Sequence, residues 1–361
     1  MAQQISPLNV GVLGATGTVG QRFLVLLASH PYLRVHAIGA SPRSVGLAYP
    51  KAVKWKQTTP IPKAYRDLNV SACEPGAFAG CKIIFSGLDA DVAGDIELAF
   101  RDAGFAVFSN AKNYRRAPLV PLVVPLVNPD HLAIVRQQQQ ELKKPGFIVT
   151  NANCSTTGLV VPLAALERAF GPIDTVLVTT LQAISGAGYP GVPSLDIMDN
   201  VVPFIGGEEE KMEWETKKIL GSLASTTTGF ALRDEMRVSA TCTRVPVIDG
   251  HTECVSVRFA RRPAPDIAAV RAALSAYTCD AQTLGCPSAP VQAIEVHDAE
   301  DRPQPRLDRE SQAGAAVSVG RIRTCPVLDI KFVLLVNNVC LGAATSSIIN
   351  AEVACAQGFI A

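Results

Sequence analysis

The chain has almost no excess of charge of either sign: 33 Lys and Arg stand against 32 Asp and Glu in 361 residues. A long-range positive field for nucleic acid is therefore not expected, and neither is a nucleic-acid partner. No run of 18 apolar residues is free of a polar break, so no membrane span is expected. The start, Met1-Ala-Gln-Gln-Ile-Ser-Pro, lacks the basic region of an export peptide. The ten cysteines contain no C-x-x-C pair, and the five histidines no H-E-x-x-H. Free thiols in a reducing, cytoplasmic setting and no metal site are the expectation. No internal repeat occurs. What the chain does have is apolar material, 48% of its residues, which is enough for sizeable cores and excludes a disordered chain.

Its length suggests two domains. The first 150 residues alternate short apolar runs with helical patterns. The runs Leu8–Gly14, Val35–Ala40, Ile83–Ser86, Phe105–Ser109, Val123–Val127 and Phe147–Asn151 read as strands. Thr18–Ser29, Asp91–Ala103 and Asp130–Lys143 read as helices, and Gly46–Asn69 as an irregular excursion. This is the pattern of a parallel sheet covered on both faces. After about residue 170 longer strands follow: Thr175–Gln182, Val238–Arg244, Cys254–Phe259, Val317–Arg323 and Lys331–Asn337. Several alternate with period 2, as a sheet with one differently packed face does, and such a face could be covered by another subunit. Helices are expected at Ser194–Val202, Glu208–Leu220 and Ala343–Gln357. The predicted fold class is α/β. A Rossmann-like parallel-sheet domain (1–152 and 339–361) is completed by the C-terminal helix. An α+β catalytic and dimerisation domain (153–338) carries a mixed or largely antiparallel sheet.

The first strand runs into Gly14-Ala-Thr-Gly-Thr-Val-Gly20. Small residues at Gly14 and Gly17 let backbone approach a pyrophosphate, and the N–H groups around Thr16, Thr18 and Val19 open a helix whose dipole favours an anion. The alternative is a tight turn with packing glycines. At the end of the second strand an acidic residue would favour NAD. Here Ser41, Arg43 and Ser44 offer donors and a charge for a 2′-phosphate, which points to NADP(H). Ser86, ending the third strand, faces the same crevice.

Thr150-Asn-Ala-Asn-Cys-Ser-Thr-Thr-Gly158 joins a strand to a helix and sets Cys154 at a helix N-terminus. There a thiolate gains from the dipole, and its pKa is expected below about 8.5. A nucleophilic thiol beside a nicotinamide cofactor implies aldehyde chemistry. The thiol adds to the aldehyde, hydride loss leaves a thioester, and an attacking group releases the acyl. His251, in Val245-Pro-Val-Ile-Asp-Gly-His251, is the acid/base candidate. The other nine cysteines read as small hydrophobes or surface thiols.

Six segments in order resemble the aspartate-β-semialdehyde dehydrogenase family, in its archaeal and fungal form. They are Gly11–Gly20, Asn153–Gly158, Leu181–Gly191, Gly206–Glu213, Arg244–His251 and Asn337–Ala344. The resemblance spans essentially the whole chain. It implies NADPH-dependent reductive dephosphorylation of L-4-aspartyl phosphate to L-aspartate 4-semialdehyde, on the way to threonine, methionine and isoleucine. It implies a homodimer or homotetramer. It makes Cys154 the nucleophile, His251 the acid/base and Gln182 a residue that positions substrate. Arg244 would bind the substrate α-carboxylate, Glu208 the α-ammonium and Lys211 phosphate. Ser185, Gly186 and Gly188 would line the nicotinamide, and Asn338 would cap the cofactor. For phosphate the segment Asn110–Arg116 offers Lys112, Asn113, Arg115 and Arg116, of which Asn113 and Arg115 are selected.

Two other readings share these motifs. A malonyl-CoA reductase on the same scaffold would keep the glycine loop, Cys154 and His251, but its substrate has no ammonium for Glu208. A dinucleotide-binding protein without turnover would have no use for Cys154, Gln182, Arg244 and His251 together.

Overall fold

The computed structural model describes residues 7–224 and 229–360; the domain ends expected at 1–6 and 361 lie outside these. The first sheet holds β1 (Leu8–Leu13), β2 (Leu33–Gly39), β3 (Ile83–Ser86), β4 (Ala106–Ser109), β5 (Leu122–Val123) and β6 (Phe147–Asn151). Their order is β2-β1-β3-β4-β6-β5 and every pairing is parallel. β3, β4 and β6 are buried along their whole length, which is why they read as unbroken apolar runs. Stacked Phe23 and Phe85 join a covering helix, Thr18–Leu27, to the sheet. All six strands point their C-terminal ends the same way. The turns that follow β1, β2, β3 and β6 therefore share one edge, where such folds bind ligands.

The strand expected at Val123–Val127 stops at Val123. Asn128 turns back there, accepting from Val124 N–H and donating to Leu122 O, so the backbone partners are taken locally. The helix expected over Asp130–Lys143 is a 3-10 turn, Pro129–Ile134, followed by an α-helix, Val135–Leu142.

The second sheet holds β7 (Ile173–Gln182), then, beyond a short hairpin of β8 (Ser222–Leu223) and β9 (Phe230–Ala231), β10 (Arg237–Arg244), β11 (His251–Phe259), β12 (Ile294–Val296), β13 (Val317–Thr324) and β14 (Ile330–Val336). The order is β10-β7-β11-β14-β13-β12. The outer pairs β10/β7 and β12/β13 are parallel and the middle three antiparallel, so the sheet is mixed. One face is packed under the helices Cys154–Phe170, Glu208–Ile219 and Ile267–Ser275. On the other face Leu177, Thr179 and Cys254 are exposed. Of the helix expected at Ser194–Val202 only Ser194–Ile197 forms. Asp199 takes a left-handed φ of 55°, and Val202 then pairs with Arg244, which a helix would forbid.

The C-terminal segment forms a π-turn, Cys340–Ala344, and the helix Thr345–Ala356. This helix packs on β3, β4 and β6 of the first sheet. Its Glu352 accepts from His30 Nε2 at 2.8 Å and from Ser288 N–H, tying both halves of the chain together.

Candidate active site

Register builds the site. Across the packed face of the second sheet, Arg244 of β10 lies opposite Gln182 of β7, and His251 begins β11 beside it. The row behind holds Cys242, Thr180 and Glu253. Side chains two apart on a strand share a face, so these two polar rows point at the same covering helices. His251 is the first residue of its strand and not part of the preceding turn.

Cys154 arrives from the first sheet. β6 ends at Asn151, Asn153 caps the next helix, and Cys154 is its first residue. Cys154 Sγ lies 3.1 Å from His251 Nε2. The other ring nitrogen, Nδ1, accepts from Ala183 N–H at 3.0 Å. That bond assigns the proton of the neutral ring to Nε2, facing the sulfur. His251 is thus placed to donate: to a thiolate, then to an oxygen on the reacting carbon. Burial, with Arg244 adding to it, lowers its pKa to about 3.

The expected low pKa of Cys154 is overturned. Burial pushes the thiol up to about 12, and the Glu208 carboxylate adds to this, against opposing effects of Arg244, Ser155 N–H and Arg115. Burial is the main reason, and the cap adds to it. Asn153 Oδ1 accepts from Ser155 N–H at 3.0 Å and Thr156 N–H at 3.1 Å, so the free donors that would serve a thiolate are largely taken. The dipole alone does not offset burial beside a carboxylate.

Glu208 starts the helix Glu208–Ile219 and is buried. Its Oε2 accepts from Asn153 Nδ2 at 2.6 Å and Gln182 Nε2 at 3.3 Å, and its Oε1 from Lys211 Nζ at 2.6 Å. Burial pushes this carboxyl up, but Lys211, Asn153 and Gln182 outweigh it and hold it below the usual range. Lys211 is thus paired with Glu208. Arg244 is buried and donates Nη1–H to Ala183 O at 2.8 Å. A Cβ on Gly186 would come within 2.9 Å of Arg244 Nη1 and 3.3 Å of His251 Nε2, so only glycine brings this turn so near the pair.

Several selected residues are committed elsewhere. Asn113 is exposed and donates to Ala90 O; it does not reach the Cys–His pair. Arg115 is buried, donating to Glu215 Oε1 at 2.8 Å and Asn110 O at 2.9 Å, while its Nε has no partner. Asn338 accepts from Gly250 N–H and donates to Ser185 Oγ, so it braces the 185–188 turn. Residues absent from the sequence reading also emerge: Glu215, Thr180, Glu253 and the Ala183 N–H. Glu215 carried one signal, its spacing of seven from Glu208 on one helix.

The cofactor crevice fits a dinucleotide. Gly14 has φ +71°, and a Cβ there would lie 2.5 Å from Gly87 O. Gly17 caps the Thr18–Leu27 helix without any side-chain cap bond, an arrangement suited to an anion. Ser41 and Arg43 are exposed and Ser44 half-buried on the turn after β2, and Ser86 is buried at the end of β3. Among the described residues no His, Cys, Asp and Glu cluster could hold a metal.

A glycine-loop dinucleotide domain joined to a paired cysteine and histidine defines an NAD(P)-dependent enzyme that works through a thiol. Residues 9–135 match the family described as semialdehyde dehydrogenase, NAD binding domain, and residues 163–341 its dimerisation domain. An aspartate-semialdehyde dehydrogenase of Cryptococcus neoformans is 68% identical over 98% of each chain. One from Schizosaccharomyces pombe is 59% identical over 98% of this chain and 99% of its own. A crystal structure of aspartate semialdehyde dehydrogenase with NADP from Candida albicans covers 98% of this chain and 100% of its own, with TM-score 0.92 and 55% identity. The chain belongs to the aspartate-semialdehyde dehydrogenase family and is an enzyme.

Proposed function

We propose that the enzyme carries out the NADPH-dependent, reversible reductive dephosphorylation of L-4-aspartyl phosphate to L-aspartate 4-semialdehyde, in amino-acid biosynthesis. The observation that carries the mechanism is the 3.1 Å approach of Cys154 Sγ to His251 Nε2. Cys154 gives up its thiol proton as sulfur adds to the acyl carbon; the C–O bond to phosphate breaks, and phosphate leaves with the electron pair and takes up that proton. The chemistry the reduced nicotinamide brings when bound is hydride donation. His251 Nε2–H donates to the substrate oxygen whenever that oxygen carries charge. Breaking the C–S bond releases the aldehyde and leaves a thiolate, which one proton from solvent returns to the thiol.

Arg244 would pair with the substrate carboxylate, and Glu208, steadied by Gln182, with its ammonium. Lys211 would move from Glu208 to phosphate, with Arg115 Nε the remaining unpartnered donor nearby. Asn113 would serve only after leaving Ala90. The glycine loop, with Ser41, Arg43, Ser44 and Ser86, would hold NADP(H), and Ser185–Gly188, braced by Asn338, the nicotinamide side. The exposed face around Leu177 and Cys254 supports a homodimer, or a pair of dimers, formed through the second domain. We assign 1–152 and 339–361 to the cofactor domain, 153–338 to the catalytic one, and the setting to the cytoplasm. No helix among the described residues is long and apolar enough to cross a membrane. Relatives from archaea are 45–46% identical, which supports a branch shared by fungi and archaea.

The test is NADP reduction followed at 340 nm with L-aspartate 4-semialdehyde and phosphate, beside malonate semialdehyde and coenzyme A. Phosphate-dependent turnover with the first is expected. Activity with the second alone would place the protein among acyl-CoA reductases.

A further inference from the structure

Asn153, the residue before the nucleophile, is gripped twice by one helix. Glu208 takes its side-chain Nδ2 at 2.6 Å, and Glu215, seven residues on, takes its backbone N–H through Oε2 at 2.6 Å. A spacing of seven returns to the same helix face after two turns. The other oxygen of Glu215 accepts Arg115 Nη1–H at 2.8 Å. Arg115 comes from the loop after β4, in the cofactor half of the molecule. Glu215 is buried, and each of its oxygens has one charge-assisted bond. The Asn153 carboxamide is oriented by the Glu208 contact, which leaves Oδ1 to accept from Ser155 and Thr156 N–H.

We propose that Glu215 is a positioning residue for the reaction: it holds the main chain of Asn153, and through it Cys154, at the His251 ring, and it balances the Arg115 charge beside the nucleophile. It touches neither substrate nor cofactor. The inference rests on Cys154 being the nucleophile. Glu208 has a place in substrate binding, whereas Glu215 acts only on the backbone that presents the sulfur.

The substitution Glu215→Gln keeps size but cannot accept at both ends, and it removes one buried negative charge. kcat is expected to fall about ten- to a hundredfold, since small misplacements of a reacting atom have that effect. KM for NADPH stays within about twofold, because Glu215 makes no contact in the cofactor crevice. With Arg115 unbalanced, the midpoint of the pH profile for Cys154 alkylation by iodoacetamide is expected to move down by about one unit. A loosened fold would hydrate the sulfur and lower the midpoint in any variant, so Glu215→Asp is the control: it keeps the charge, and its midpoint should stay. An unchanged kcat, or an unmoved midpoint, overturns the proposal. If that variant does not fold, Glu215→Asp carries the test: it keeps the charge and loses reach, so kcat falls while the midpoint stays. Wild-type kcat in that variant overturns it equally. Alkylation of Cys154 in the unaltered enzyme should abolish turnover; if turnover survives, it is the nucleophile assignment that fails.

Discussion

Two helices start on the same edge of the first sheet, and their N-termini are finished in opposite ways. The Thr18–Leu27 helix opens at Gly17 with no side-chain cap. The Cys154–Phe170 helix opens at Asn153, whose carboxamide oxygen fills two of its free N–H groups. Strand, turn and dipole are alike, yet one end is left for an anion from outside and the other is closed. An open end invites a phosphate. The closed end holds a neutral thiol beside a neutral imidazole, and its reactivity depends on geometry more than on resting ionisation.

The largest test of the contrast is Cys154→Ser. Turnover should fall more than about a thousandfold, since hydroxyl is far less ionised than thiol, while NADPH binding by fluorescence titration is retained. Lost cofactor binding would mean that the two helix starts are not independent.

Asn153→Ala reopens the second terminus. Stability should fall by about 1 kcal/mol, the usual worth of a cap, read by denaturant unfolding. Glu208 loses a partner, so kcat is expected to fall about tenfold or more. In the unaltered enzyme the alkylation rate of Cys154 should climb only at alkaline pH, toward the midpoint near 12 that burial and Glu208 impose. The variant's midpoint should lie lower, with Ser155 and Thr156 N–H freed for the sulfur. An unchanged midpoint would show that the cap does not compete with the thiolate.

On the turn after β2, at the same sheet edge, Arg43→Ala should weaken NADPH by about tenfold, the worth of one charged hydrogen bond, and NADH little. Equal weakening would remove Arg43 from the 2′-phosphate. The smallest effect concerns burial itself. Glu253, behind His251 on β11, is fully buried with neither oxygen partnered, and burial raises its pKa well above the usual value. A folded pKa above the unfolded one means that stability is full at low pH and is lost as pH rises past the ordinary carboxylate range. Glu253→Gln should therefore raise Tm by about a few degrees at pH 8 and leave it near the original at pH 4. No gain at pH 8 would mean that the carboxyl is hydrated or paired in solution.

The elements legible in the sequence were those with a local cause. The parallel strands β3, β4 and β6 are buried from end to end, the glycine turn needs its backbone freedom, and the Glu208–Ile219 helix starts within its own charge pattern. Elements with a distant cause were misread. Ser194–Ile197 ends early because Val202 must reach Arg244. The end of β5 is the exception: its cause is local, Asn128 turning back onto Val124, but the apolar run hid it. The site divides in the same way. Cys154, His251, Gln182, Arg244 and Glu208 could be named from motifs, and they meet. Arg115 was named as a donor to phosphate, yet it is spent largely on Glu215, a hundred residues away.

The sequence by itself determined the kind of chemistry, because the types of side chain and their local turns set what a thiol, an imidazole and a glycine loop can do. Tertiary structure alone decided which state those groups hold. The pKa of Cys154, the tautomer of His251 and the partner of Arg115 depend on charge, burial and backbone donors brought in from remote strands and helices. Electrostatic energy depends on distance and dielectric in the folded interior, and neither is written in the order of residues.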